Sequence, residues 1–415
     1  MTVSEQLPVD PETRSRGRRI EIDLADRYRP GGGPVLITGV QAIARLLVEQ
    51  HARDAAAGLR TGSFVSGYPG SPLGGLDRTL ASAPELAGQG VHLAPGLNEE
   101  LAATAVWGSQ LEVPHRPWSV DGVVGVWYGK APGVDRAGDP LRHGNVCGAH
   151  PRGGVLVLAG DDPGCKSSTL PSASESTLAS YGLPVFYPGD AADIVRLGLY
   201  GIAASRASGS WVSMKIVSDV ADGIYTLSGT EPDVEITVPE LEWEGRKWSY
   251  HQTPVLLPPV SLTAEAELHG PRWAMVRAFL AANPINIVEV DPPRAWLAVV
   301  AGGKAFHDVQ QALRDLGLDD ARLHQAGIRL LRLGMIHPLD REEIRRVATG
   351  CEQVLVVEEK LPFVELAVRD ALYGLPDAPR VVGARDGADR PLVPVTGELT
   401  AGALHGPLRR LLGER

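Results

Sequence analysis

Gly154-Val-Leu-Val-Leu-Ala159 is a short apolar run with no polar alternation, closed off by Gly160. A strand that hides both of its faces reads this way, and both faces are hidden when a parallel sheet lies between helices. This run therefore points to an α/β architecture. Gly62-Ser-Phe-Val-Ser66, Val91-His-Leu93, Val123-Val-Gly-Val-Trp127, Leu183-Pro-Val-Phe-Tyr-Pro188 and Trp211-Val-Ser-Met-Lys-Ile-Val217 are further short strands. Helical segments alternate with them in the rhythm of a parallel sheet. The 48 glycines and 33 prolines suit the strand-to-helix turns that such a sheet needs. At 415 residues the chain is long enough for two domains.

A net charge of −10 and the lack of an evident basic face argue against nucleic acid as a partner. Hydrophobic residues make up 44% of the chain, but no apolar run approaches a membrane span, so no membrane partner is expected. Cys147, Cys165 and Cys351 lie far apart without C-x-x-C spacing, which excludes a self-contained iron–sulfur or structural zinc site. They give no disulfide framework either, and a cytoplasmic setting is expected. Arg18-Arg19 is followed by Glu21 and Asp23 instead of an apolar signal core.

The chain divides by character. Residues 1–33 read as a flexible arm ending in three glycines. The parallel-sheet domain spans 34–230; in it Thr38-Gly-Val-Gln41 either cradles an anion or simply packs strand on helix. Residues 231–284, with Pro254, Pro258 and Pro259 near Trp243 and Trp248, look like an extended connector. A smaller β-α domain spans 285–385. Its strands at 296–300, 328–333 and 354–357 alternate with helices, one opened by Asp340 and Glu343 as a D-x-x-E capping box. Residues 386–415 read as a C-terminal tail.

Three stretches carry chemistry. Gly67-Tyr68-Pro69-Gly70-Ser71-Pro72-Leu-Gly74-Gly75 is a rigid, narrow loop at the carboxyl end of a strand, where α/β sheets bind ligands. Asn98-Glu99-Glu100 opens a helix of small residues, Ala102, Ala103, Ala105 and Gly108. The plain reading is an Asn cap with acids complementing the helix dipole. The functional reading is a carboxylate at the mouth of a smooth face, desolvated for proton chemistry. Gly160-Asp161-Asp162-Pro163-Gly164-Cys165-Lys166-Ser167-Ser168 follows the central strand, and its acids, lysine and hydroxyls bind a polar substrate or cap a helix. Asp135, Arg136, Asp139, Arg142 and His143 fall in a polar loop too long for a simple turn.

Together with Val357-Glu-Glu-Lys-Leu-Pro-Phe-Val-Glu365, these stretches resemble the N-terminal part of the indolepyruvate:ferredoxin oxidoreductases, in the 2-oxoacid:ferredoxin oxidoreductase superfamily. The resemblance runs from about Asp23 to Leu412. It implies a thiamine diphosphate-binding, pyrimidine-type parallel-sheet domain followed by a transketolase C-terminal-like α/β domain. In that family one glutamate contacts the aminopyrimidine ring and promotes the tautomer that deprotonates the thiazolium carbon. Register against Gly108, the glycine of the family's E-x8-G pattern, gives that role to Glu99 and not Glu100. The family's Y-P-x-[ST]-P loop falls on Tyr68, Pro69, Gly70 and Ser71, which implies cofactor contacts for the first three and a substrate contact for Ser71. Lys166, Ser167 and Ser168 match a family motif as pocket lining, with Lys166 and Ser167 beside the substrate. Arg142 is a candidate for the substrate carboxylate, as are Arg136 and His143.

The departures from the family pattern matter too. No Gly-Asp-Gly occurs in the sequence, so the half-site for Mg2+ and diphosphate is missing from it, and the iron–sulfur clusters are missing likewise. The resemblance then implies a hetero-oligomer in which a separate chain carries the diphosphate-binding domain and partner chains carry Mg2+ and the clusters. The resemblance implies that such a complex converts a bulky aryl 2-oxo acid, such as indolepyruvate, to an acyl-CoA and reduces ferredoxin. Two alternatives stay open at this point: a non-oxidative thiamine diphosphate decarboxylase or carboligase, and a structural subunit without catalysis.

Overall fold

The computed structural model describes residues 23–31, 34–112, 118–227 and 234–413. Strands β1 (Val35–Thr38), β2 (Thr61–Gly67), β3 (Val91–Leu93), β4 (Gly122–Lys130), β5 (Val155–Asp161), β6 (Val185–Phe186), β7 (Val212–Val217) and β8 (Ile224–Leu227) come first. A hairpin follows, β9 (Leu241–Trp243) and β10 (Arg246–Trp248). The last third holds β11 (Ile287–Val290), β12 (Leu297–Gly302), β13 (Ile328–Leu333), β14 (Met335–His337), β15 (Gln353–Val357) and β16 (Arg380–Val382).

The main sheet runs β14-β6-β7-β5-β4-β2-β3. The expected central strand is β5, and all seven of its residues are buried. Every pairing is parallel except that of β14, which lies antiparallel against β6. That edge strand is donated by the second domain, so the two domains share a sheet. The second sheet, β11-β13-β12-β15-β16, is parallel apart from the antiparallel edge strand β11. The Thr38-Gly-Val-Gln41 turn is a capping box: Gln41 N donates to Thr38 Oγ1 at 3.2 Å and Thr38 N to Gln41 Oε1 at 2.9 Å. Gly39 is required there, because a Cβ would sit 1.9 Å from the Val220 carbonyl oxygen. At Asp340 only half of the expected box forms. Its carboxylate caps Glu342 and Glu343, while the Glu343 side chain accepts from Asn286 at 2.6 Å instead of turning back.

Four expectations need correction. The polar loop around Asp135–His143 is two helices, Ala131–Arg136 and Gly138–Cys147; Pro132 and Pro140 fall in their first turns, where a missing N–H breaks no helical bond. The connector over 231–284 holds the β9–β10 hairpin and the helices Val260–Glu267 and Trp273–Ala282, and Val276, Phe279 and Leu280 join the main core. Its buried Arg272 donates to the carbonyls of Asn145, Val146, Ser208 and Gly209, so the segment is bolted on, not extended. The tail over 386–415 contains the helix Ala401–Gly413, whose Leu404, Leu408 and Leu411 complete the core of the second domain. Within the arm over 1–33, Leu24–Tyr28 forms a 3-10 helix with Tyr28 buried, tied down where Arg45 Nη1 donates to the Asp26 carbonyl at 2.9 Å. Residues 1–22, 32 and 33 of that arm lie outside the described residues.

Two helices of the first domain, Gly39–Ala56 and Ala191–Ser208, are pinned by a fork. Arg206 donates through Nη1 and Nη2 to the two Asp54 oxygens at 2.6 and 2.8 Å, and Thr61 and Gln50 also donate to Asp54. Burial alone would raise the Asp54 pKa, but Arg206 and the hydroxyl and amide donors hold it below the usual carboxylate value. Arg206→Met strands that carboxylate. Urea unfolding at neutral pH should show a loss of about 3–5 kcal/mol, the cost of breaking a buried pair. Because the folded pKa is depressed, the contribution of Asp54 is present above its unfolded pKa and is lost as pH falls through the folded value. The variant should lack that acid-side loss; a change of less than about 0.5 kcal/mol would deny the fork its role.

Candidate active site at the carboxyl edge of the main sheet

Parallel pairing of β3, β2, β4 and β5 delivers the loops that follow them to one edge. After β3, Asn98 caps the helix Glu99–Gly108 by accepting from Leu101 N at 2.8 Å. Glu99, the first helical residue, is buried, while Glu100 is exposed. Trp127 Nε1 donates to the Glu99 carbonyl at 3.0 Å and anchors the turn to β4. Ala102 and Ala103 are fully buried behind it. Gly133 is pressed against the carboxylate, since a Cβ there would lie 2.8 Å from Glu99 Cγ. Arg136 Nε is 3.7 Å from Glu99 Oε2, too long for a hydrogen bond, and that oxygen is buried without a hydrogen-bond partner among the described residues. A buried carboxylate oxygen left unpaired costs free energy, and such atoms are rare outside sites that bind something.

The Tyr68 loop lies alongside. Gly96 N donates to the Gly67 carbonyl at 2.9 Å, joining the turn before Glu99 to the loop after β2. Tyr68 and Pro69 are exposed and Gly70 half-buried. Ser71 Oγ is hydrogen-bonded to Ser167 Oγ across the edge. Ser167 is in turn fixed by Asp162, whose carboxylate accepts from the backbone N–H groups of Lys166, Ser167 and Ser168 at 2.9, 2.8 and 2.9 Å. Burial would raise the Asp162 pKa; these donors bring it below the ordinary value. The Lys166 ammonium is committed elsewhere, paired with Asp219 and, at 2.9 Å, with Glu398. It braces the loop against the C-terminal segment.

The structure thus gathers Glu99, Tyr68, Pro69, Gly70, Ser71 and Ser167 at one edge and leaves Lys166 beside them with its charge already matched. It does not bring Arg142 there. That guanidinium stacks 4.5 Å over the Tyr181 ring, in a separate groove of about 420 Å³ lined also by Val146, Leu262 and Leu268. His143 stays next to it, 3.3 Å from Asp139. Asp190, Asp193 and His307 lie close enough to hold a cation, but Asp190 caps a helix and Asp193 is taken by Arg196 and Arg332. Reading the sequence missed Gly133 as the wall behind Glu99. The available signal was position: Lys130-Ala-Pro132-Gly133 stands at the carboxyl end of a buried strand, where ligands bind.

Comparisons with known proteins bear on the relatives and the fold. The family model for the indolepyruvate oxidoreductase domain matches residues 288–414. The indolepyruvate oxidoreductase subunit IorA of Archaeoglobus fulgidus is 26% identical over 343 residues, covering 81% of this chain and 49% of the relative. The chain spans about half the length of the curated relatives it matches. Among solved structures, a 2-oxoglutarate:ferredoxin oxidoreductase from Magnetococcus marinus superposes with a TM-score of 0.63 over 92% of this chain and 65% of that one, at 14% identity. A split-gene transketolase gives a TM-score of 0.50 at 16% identity, over 92% of this chain and 99% of that one. These last two show the fold: a thiamine diphosphate-type parallel-sheet domain followed by a transketolase C-terminal-like domain. The chain is thus similar to the indolepyruvate oxidoreductase subunits over about four fifths of its length, and the indolepyruvate oxidoreductase domain model matches its last third.

Proposed function

We propose that this chain is the pyrimidine-side subunit of a thiamine diphosphate-dependent oxidoreductase that decarboxylates an aryl 2-oxo acid to an acyl-CoA and passes the electrons to ferredoxin. The observation that carries the reading is the buried Glu99 carboxylate with one oxygen unpartnered. The residues present fit the aminopyrimidine half of the cofactor. A protonated ring nitrogen needs an acceptor, which Glu99 Oε2 supplies, while Ala102 and Ala103 are fully buried and pack behind that residue. They do not fit the diphosphate half, for which the sequence has no Gly-Asp-Gly. When bound, thiamine diphosphate supplies the electron sink for decarboxylation.

The work of this chain is then to place and shield a proton. Glu99 holds it at Oε2, and burial against Gly133 and Ala103 keeps water from competing. Arg136, 3.7 Å away and exposed on its other side, balances the carboxylate charge without taking its lone pair. The Ser71 and Ser167 hydroxyls, bonded to each other, would offer donors to a substrate carboxyl group. Leu97 and Leu101 border Glu99 in sequence and are 87% and 50% exposed; with Tyr68 of the neighbouring loop, 42% exposed, they make an apolar rim suited to a covering partner. In this reading that partner carries the Mg2+ and diphosphate site. On the same reading the clusters also belong to partner chains, since Cys147, Cys165 and Cys351 lie far apart in the sequence without C-x-x-C spacing.

Two variants of the assembled complex test the reading. Glu99→Gln keeps the shape and removes the proton acceptor, so kcat with an aryl 2-oxo acid should fall about 10²–10⁴-fold while the chain melts as the parent does. Undiminished turnover would remove Glu99 from the mechanism. Gly133→Ala intrudes on Glu99 Cγ at 2.8 Å and should cost about 100-fold in kcat, as expected for a displaced catalytic group. It should cost only about 1–3 kcal/mol in stability. Parental activity from Gly133→Ala would show that the position of Glu99 is not set by this wall.

A further inference from the structure

The groove that holds Arg142 shares no residue with the Glu99 edge. Three helical segments build it. Arg142 and Val146, one turn apart, come from the helix Gly138–Cys147. Tyr181 follows the helix Glu175–Ser180, while Leu262, Glu265 and Leu268 come from the helix Val260–Glu267 and the turn after it. The floor is apolar and closed to water, with Tyr181 8% and Leu268 3% exposed. At about 420 Å³ the groove falls within the range of small-molecule sites. Arg142 spends only the face of its guanidinium on Tyr181; its in-plane N–H groups have no acceptor among the described residues. Glu265 is the acid among the residues that line the groove, and it has no donor among the described residues either. The two do not pair with each other. A cation and a carboxylate left open over one apolar floor match a ligand that carries both charges and an apolar body. A simple anion would meet Glu265, and a simple cation Arg142, each as a like charge.

We propose that this groove binds a free amino acid with a large apolar side chain. Its carboxylate lies on Arg142, its ammonium on Glu265 and its side chain against Val146, Leu262 and Leu268. A carboxylate takes a guanidinium in plane, so the stack on Tyr181 stays intact and holds the arginine ready. The same helix reaches the Glu99 helix on its other side, where the His143 and Trp107 rings are 5.8 Å apart. The bound amino acid thus sits one helix away from Glu99, at a site of its own.

The test is a calorimetric titration of L-phenylalanine and L-leucine into the full chain. It needs neither cofactor nor partner, so its outcome is separate from that of the 2-oxo acid reading. Dissociation constants of about 0.1–1 mM are expected for ligands of this size on an open groove. Arg142→Met and Glu265→Gln should each weaken L-phenylalanine about 5- to 20-fold, with the melting temperature of the free chain unchanged. 3-Phenylpropionate, which lacks the ammonium, should bind the parent more weakly and Glu265→Gln better than the parent. 2-Phenylethylamine, which lacks the carboxylate, should bind Arg142→Met better than the parent. Glu99→Gln should leave the affinity for L-phenylalanine at the parental value. A folded parent that binds neither amino acid, or binding that neither groove substitution moves, overturns the assignment. Loss of binding in Glu99→Gln overturns it as well, by placing the ligand at the sheet edge.

Discussion

A lysine sits in the middle of the main sheet with almost no access to water, and much of the molecule is arranged around it. Lys215 on β7 has a side chain 4% exposed, and its ammonium lies 2.7 Å from Glu175 and 3.8 Å from Asp161. Glu359 of the second domain adds its field to the same cation. An ion buried this deeply survives only when it is surrounded by counter-charge, and removing one member leaves the others stranded. Burial pushes Asp161 upward, Lys215 pulls it back and Glu175 raises it again, so the cluster shares charge. Glu359 also accepts from Leu399 N at 2.9 Å, which draws the C-terminal segment over the first domain.

The candidate site inherits its order from that cluster. Asp161 accepts from the N–H and hydroxyl of Ser174, fixing one end of the loop after β5. Its neighbour Asp162 fixes the middle and presents Ser167 to Ser71. Lys360 donates to the Pro163 carbonyl at 2.6 Å, and Lys166 reaches Glu398, so both domains grip the same loop. With β14 donated to the main sheet, the second domain acts as a clamp on the loops that line the site. Sites built on rigid elements hold their geometry better than sites on free loops. A small α/β domain without evident catalytic residues thereby acquires a clear mechanical purpose.

The sequence was most informative where burial is one-dimensional. The apolar run at 154–159 gave away the central strand, and Asn98 followed by two acids gave away the start of the helix; only the resemblance to a family pattern singled out Glu99, which is buried, from Glu100, which is exposed. The order of the loops on the sheet edge followed from parallel topology. What stayed hidden depends on long-range packing. Three residues, Met335–His337, give no periodic signal, so their crossing to the first sheet is invisible in sequence. The helices at 260–282 are masked by the His269-Gly270-Pro271 interruption. Lys166 and Arg142 looked equally available as cations; only the positions of Glu398 and Tyr181 show that they are engaged.

The central claim is that this chain holds half of a thiamine diphosphate site, organised around Glu99, and that another chain completes it. The most direct measurement is a calorimetric titration of thiamine diphosphate with Mg2+ into the isolated chain, and into the chain assembled with a partner bearing Gly-Asp-Gly. The account predicts tight, stoichiometric binding to the complex and none detectable to the chain alone. Tight binding by the isolated chain, equal to that of the complex, would contradict it.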